Sequence, residues 1–177
     1  MQEKTEFSKD FDKNKKRIDE LLHIEKSFDL LYRVVTIGGK KACFYFIDGF
    51  CKDEVMEKVL EFLYKITPEQ MPATAHEFLK DRLPYGEIDL VRTENDLLQR
   101  ILSGVPVLLI DGYTELLATD FRTYPSRSVD EPEKDKVMRG SRDGFVETVV
   151  FNTALIRRRI RSRDLVMEMH TVGKSSR

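Results

Sequence analysis

The residues able to carry chemistry are few, and each has a simpler use beside it. Asp48 and Asp111 each close an apolar run, in FIDGF and LIDGY. Two carboxylates brought together can do general acid–base work. A glycine follows each, however, so Asp48-Gly49 and Asp111-Gly112 are equally read as turn formers. Cys43 and Cys51 lie eight residues apart, and His23, His76 and His170 are scattered. That spacing does not assemble the roughly four ligands of a zinc site. Cys43 sits in an apolar run and reads as a small buried hydrophobe, with no disulfide framework implied. No serine has the strand-turn-helix context of a nucleophile elbow. The sequence therefore predicts no metal, no cofactor and no enzyme.

Two basic motifs remain. RGSRDGF (139–145) precedes a helix, where backbone N–H groups attract anions. Asp143 takes the N-cap place there and competes with an anion. The phosphate-loop pattern fails as well, because Gly173-Lys174-Ser175 has Glu168 where the loop's first glycine belongs. RRRIRSR (157–163) gathers arginines at a helix end. They can contact phosphates, complement the negative end of the helix dipole, or pair with a neighbouring subunit or a membrane surface. Thirty Lys+Arg against 31 Asp+Glu leave a net charge of −1, so no global field draws the chain to nucleic acid. No aromatics interleave the cluster. A nucleic-acid partner is not expected.

These residues need elements to hold them. Residues 1–12 are polar and read as a disordered lead without the apolar core of a secretory signal. KNKKRIDELLHI has the apolar spacing of a short amphipathic helix, closed by turn chemistry at Ser27 and Asp29. LLYRVVTI and KACFYFID read as strands joined at Gly38-Gly39, whose free φ angles suit a tight hairpin. The second strand is almost wholly apolar and is predicted to be central. Asp53 can cap the helix that follows. EIDLV, TENDLLQRILSG and VPVLLI have the order of a compact βαβ unit, with Thr93 as N-cap and Gly104 as helix stop. Asp111-Gly112 turns the chain into YTELLATDF. Residues 121–143 form a long charged loop. A helix over 144–160 is predicted to bury Phe145, Val149, Ile156 and Ile160, and LVMEMHTVG begins a further strand. The longest apolar runs hold about six residues, against the ~20 that span a bilayer. The fold class is α/β, a mixed sheet flanked by helices.

An internal echo complicates the domain count. DLLYRVVTIGGK (29–40) resembles DLVMEMHTVGKS (164–175) at constant offset. Asp29, Leu30, Thr36 and Gly38 match Asp164, Leu165, Thr171 and Gly173. A repeat of this kind places the start of a second unit near residue 164.

Three stretches, LLYRVVTIGGKKACFYFIDGF, ILSGVPVLLIDG and EPEKDKVMRGSRDGFVETVVFNTALIRRRI, resemble the N-terminal soluble domain of GerA-family A subunits, which are spore germination membrane proteins. RTYPSR and RGSRDGF are closer to the family's stage V sporulation protein AF branch than to its nutrient-receptor branch. The resemblance implies two related α/β subdomains, followed by transmembrane helices absent from this chain. It implies a place on the core side of the inner spore membrane, homo-oligomers of the full-length protein, other germination membrane proteins as partners, and a part in ion release. The chain then divides into the lead at 1–12, a first subdomain at 13–143, a connecting helix at 144–163 and the start of a second subdomain at 164–177. Arg139, Arg142, Asp143, Arg157, Arg158 and Arg159 become the candidate subunit interface. A small-ligand module that senses a germinant is the alternative.

Overall fold

The computed structural model describes residues 6–82, 87–123 and 145–173. Its centre is a five-stranded sheet in the order β1-β2-β4-β5-β3, with every neighbouring pair antiparallel. β1 (Leu30–Ile37) and β2 (Lys40–Ile47) form a hairpin in which Ile37 faces Lys40. Gly38 and Gly39 make the turn at φ 53° and 76°, a conformation that side chains with a Cβ resist. β2 lies between β1 and β4 (Val107–Ile110). Its residues alternate between two covered faces, which is why it is apolar nearly throughout. Cys43, Tyr45 and Ile47 join the core under α1 (Phe11–Leu22) and α4 (Glu94–Leu102). Ala42 and Phe44 join the core under α2 (Asp53–Tyr64) and α3 (Ala75–Arg82). The expected α/β class, a sheet flanked by helices, is the one observed.

The local signals account for several boundaries. Thr93 caps α4 by accepting the N–H of Asp96 at 3.1 Å. Gly104 ends that helix at φ 91°, where a Cβ would meet the Phe50 ring at 2.4 Å. Asp53 is not the cap of α2 but its first residue; Lys52 holds the N-cap position.

Four expectations are revised. β3 (Glu87–Val91) and β4 do not lie side by side. β5 (Leu116–Asp120) inserts between them and pairs antiparallel with both, so the βαβ unit is split. Parallel neighbours leave a strand's ladder no better satisfied than an inserted antiparallel one, and the β4–β5 connection is short enough to insert it. Residues 6–12 of the lead pack onto the fold, because Phe7 and Phe11 are buried in the core and the Glu6 N–H donates to the Arg92 carbonyl at 2.8 Å. The last helix is shorter than 144–160: α5 spans Val149–Arg159. Phe145 is 71% exposed, and Val149 and Ile160 are exposed too, while Ala154, Leu155 and Arg157 are buried. Ala154 is chosen by close packing, since a Cβ on Gly49 would lie 3.2 Å from its methyl. The apolar stripe read from the sequence is therefore not the face that meets this core. Finally, residues 164–173 form no strand.

Candidate functional site

The strongest arrangement of charge joins residues more than a hundred positions apart in the chain. Arg157 comes from α5, and Ser27 and Asp29 from the turn that enters β1. Arg157 is 0% exposed and Asp29 1%. The guanidinium holds the Asp29 carboxylate in a fork, Nε donating to Oδ2 at 2.7 Å and Nη2 to Oδ1 at 3.0 Å. Nη1 donates to the Ser162 carbonyl at 3.0 Å, and Nη2 also reaches the Leu165 carbonyl at 2.9 Å and Ser27 Oγ at 3.2 Å. Ser27 Oγ donates to Asp29 at 2.6 Å and accepts from the Met167 N–H at 3.1 Å. The Phe28 N–H closes the circuit by donating to the Met167 carbonyl at 2.9 Å. Two-pronged, charge-assisted pairing is the geometry in which a buried guanidinium is tolerated. The clasp is closed off from solvent. It fastens α5 and the segment after it to the first turn of the sheet.

The same stretch replays the beginning of the chain in geometry. Asn14 is the fourth residue of α1, and its side chain accepts the Ser8 N–H at 3.1 Å and donates to the Ser8 carbonyl at 2.6 Å. Asn152 is the fourth residue of α5 and does the same six residues back, with the Val146 N–H at 2.7 Å and carbonyl at 2.6 Å. After each helix comes Ser-x-Asp-Leu. At the second copy the Asp164 N–H donates to Ser162 Oγ at 3.1 Å, but the Asp164 side chain is 82% exposed. Neither asparagine stood out in the sequence, where each is one polar residue on a helix.

The remaining candidates fall in separate places. Arg158 and Arg159, next along α5, are exposed, and Arg161 Nε donates to the Arg158 carbonyl at 3.3 Å. Arg139, Arg142 and Asp143 lie outside the described residues, so the structure does not join them to α5. Gly49 and Gly112 adopt φ 78° and 85° in their turns. Asp111 and Asp48 sit at opposite ends of antiparallel neighbours: Asp111 follows Ile110, which faces Ala42, while Asp48 follows Ile47. They do not form a carboxylate pair. Asp48 lines a groove of about 590 Å³ between the β1–β2 hairpin and α2, with Arg33, Cys51, Asp53, Met56 and Tyr64. Burial raises the pKa of Asp48, against the Gly49 N–H that lowers it. Burial also pushes the Cys51 thiol up to about 12, aided by Asp120 and Asp53, so it is no ready nucleophile. Among the described residues no three His, Cys, Asp or Glu side chains gather as a metal site.

The model of the Bacillus/Clostridium GerA spore germination protein family matches residues 16–177. The chain belongs to the GerA family. Stage V sporulation protein AF of Bacillus subtilis (strain 168) is 32% identical to this GerA-family chain over 166 residues, 93% of the chain and 34% of the relative. Spore germination protein B1 of the same organism is 33% identical, across 84% of the chain and 31% of the relative. The chain thus spans about a third of the length of these curated relatives. A solved structure, the N-terminal domain of the A subunit of the Bacillus megaterium spore germinant receptor GerK3, has the same fold. It superposes with a TM-score of 0.68 at 19% identity, covering 96% of this chain and 62% of that one. The expected family is the one found, and the sporulation AF protein is among its relatives. Among the described residues, no helix of this GerA-family chain is long and apolar enough to cross a membrane.

Proposed function

We propose that this chain is the non-enzymatic, spore-core-facing domain of a germination protein of the inner spore membrane. In this reading it contributes to subunit assembly and to ion release during germination. The observation that carries it is the family match over nearly the whole chain, on the fold of a receptor A subunit's N-terminal domain. The replay of α1 and its Ser-x-Asp turn by α5 and residues 162–164 supports a division into a first unit and the beginning of a second. α5 then connects the two, and the clasp fixes the angle at which the chain leaves the first. Arg158, Arg159 and the charged stretch containing Arg139, Arg142 and Asp143 supply contacts between full-length subunits or with other germination membrane proteins. Membrane attachment comes from regions outside this chain. The test is charge reversal of Arg139, Arg142 and Arg158 in the full-length protein, read by cross-linking in spore membranes. Fewer cross-linked oligomers support the reading, and an unchanged ladder removes those arginines from the interface.

The groove beside α2 favours a second reading, a module that senses a small ligand. It combines an apolar floor with Arg33, Asp48 and Asp53 at its rim. Titration of the chain with germinant amino acids or sugars, followed by amide shifts along 46–56, decides it. Saturable shifts confined there support a sensor; flat spectra dismiss it.

A further inference from the structure

α1 and α5 begin alike. Each follows an extended N-cap, Asp10 at φ −84° and ψ 111°, Thr148 at φ −89° and ψ 115°. Each carries the same asparagine bracket at its fourth residue. The register set by the two asparagines places Phe7, Phe11, Ile18 and Leu22 opposite Phe145, Val149, Ile156 and Ile160. The first four are the inner stripe of α1. All are buried, in one core with Leu30 of β1 and with Tyr45 and Ile47 of β2. The second four lack such cover among the described residues: Phe145 is 71% exposed, Val149 55% and Ile160 50%, and Ile156 is half-buried.

The other sides of the two helices differ in the opposite sense. Lys16 and Arg17 of α1 are exposed, whereas Ala154 and Leu155, at the matching places of α5, are buried. A helix that is apolar on both sides belongs in an interior on both sides. On α5 only the Ala154–Leu155 side is covered by the described residues. The stripe opens on a groove of about 630 Å³, where Val149 and Ile156 meet Leu165, Met167 and Met169. Those three stand at alternate positions of their segment, as on one face of a strand. Leu165 is the counterpart of Leu30, through which β1 joins the core beneath α1.

We propose that α5 belongs to two cores at once. Its Ala154, Leu155 and Arg157 side closes the first unit. Its stripe of Phe145, Val149, Ile156 and Ile160 is the inner face of a second one. The occupant of the stripe is a sheet laid on it as β2 and β4 are laid on α1. Residues 165–172 form the first strand of that sheet, and the full-length protein beyond residue 177 supplies the others. Two observations choose this occupant. The stripe repeats, position for position, one that a sheet covers in α1. This chain also spans about a third of its curated relatives and only 62% of the solved receptor domain that shares its fold. Two units that share one helix move as a single body, without a hinge at their joint. Such an arrangement rests on the division into two units proposed above, but on no part in ion release.

The test compares maleimide labelling of added cysteines in the 177-residue chain and in the full-length protein in isolated membranes. Each protein is read against itself without the added cysteine. Val149→Cys and Ile160→Cys probe the stripe with little change of volume. Glu147→Cys, at the exposed place that matches Lys9, is the control. All three are expected to label readily in the 177-residue chain. In the full-length protein the two stripe cysteines should react at least ~tenfold more slowly, with Glu147→Cys unchanged. Mild detergent should leave that protection intact, because protein and not lipid provides it. Val149→Asp gives a second readout, since an acid at the first position of α5 suits the helix dipole. It should leave the Tm of the 177-residue chain within ~2 °C of wild type. It should also make the full-length protein at least ~tenfold more sensitive to trypsin beyond residue 177. Stripe cysteines that label equally fast in both proteins overturn the proposal, as does a Val149→Asp protein as resistant as wild type. Protection lost in detergent makes lipid the occupant and overturns it too. So does protection already present in the 177-residue chain that fades on dilution, which makes a second copy the occupant.

Discussion

Replacing Arg157 with methionine removes the guanidinium but keeps much of the side chain's volume. It leaves the Asp29 carboxylate, 1% exposed, without its cation. It also orphans the Ser162 and Leu165 carbonyls that the guanidinium had satisfied. Breaking a buried ion pair from one side costs about 3–5 kcal/mol, because an uncompensated charge stays in the interior. For a chain of this length that corresponds to a fall in Tm of roughly 8–14 °C. Asp29→Asn in the same background removes the stranded charge. The double variant is therefore expected to be more stable than Arg157→Met alone, by at least ~1 kcal/mol. Urea unfolding followed by far-ultraviolet circular dichroism gives all four corners of the cycle, since the chain has no tryptophan. Amide exchange adds a local readout: the Phe28 and Met167 N–H groups, both donors within the clasp, should lose protection first. A loss below about 1 kcal/mol, or a double variant no better than the single, would mean that Asp29 is not held by Arg157 and that the reasoning is wrong.

Other consequences are open to simple assays. Gly104→Ala forces a Cβ onto a φ of 91° and against the Phe50 ring; thermal unfolding should show a loss of about 2–4 kcal/mol. Asn14→Ala strips the buried bracket at the start of α1 and should cost ~1–2 kcal/mol, whereas Asn152→Ala, in a more exposed helix, should cost less in the same denaturant titration. Asp48 has a raised pKa, chiefly from burial, so its folded form holds the proton more tightly than the unfolded chain does. That contribution favours folding at low pH and is lost as pH rises through the folded pKa. Asp48→Asn should thus match wild type in acid and exceed it as pH rises above the carboxylate range, in Tm measured from about pH 3 to pH 7.

The parts of this fold that depend on neighbours in sequence were legible. Gly38-Gly39 specified its turn, Thr93 its cap and Gly104 its stop, because each answers a backbone demand within a few residues. The apolar run of β2 announced a strand covered on both faces. The order of the sheet was not legible in the same way. EIDLV and VPVLLI look adjacent on a chain, and only packing shows that the 116–120 strand comes between them. Arg157 was hidden for a sharper reason. It is one of five arginines in a short run, and a cationic run ordinarily points to solvent. What singles it out is the carboxylate of Asp29, 128 residues away, which the guanidinium holds. The echo at 164–175 was visible in the letters, and the paired asparagines at 14 and 152 add a geometric counterpart to it.

We propose that this GerA-family chain, as part of the full-length protein, serves ion release within a membrane assembly. The most direct measurement is the conductance of a spore suspension after germinant is added. Spores making the full-length protein would be compared with spores lacking it and with spores carrying the Arg139, Arg142 and Arg158 reversals. Slower release is expected in both altered strains, with the triple variant resembling the deletion. Release as fast as wild type in the deletion strain would contradict it.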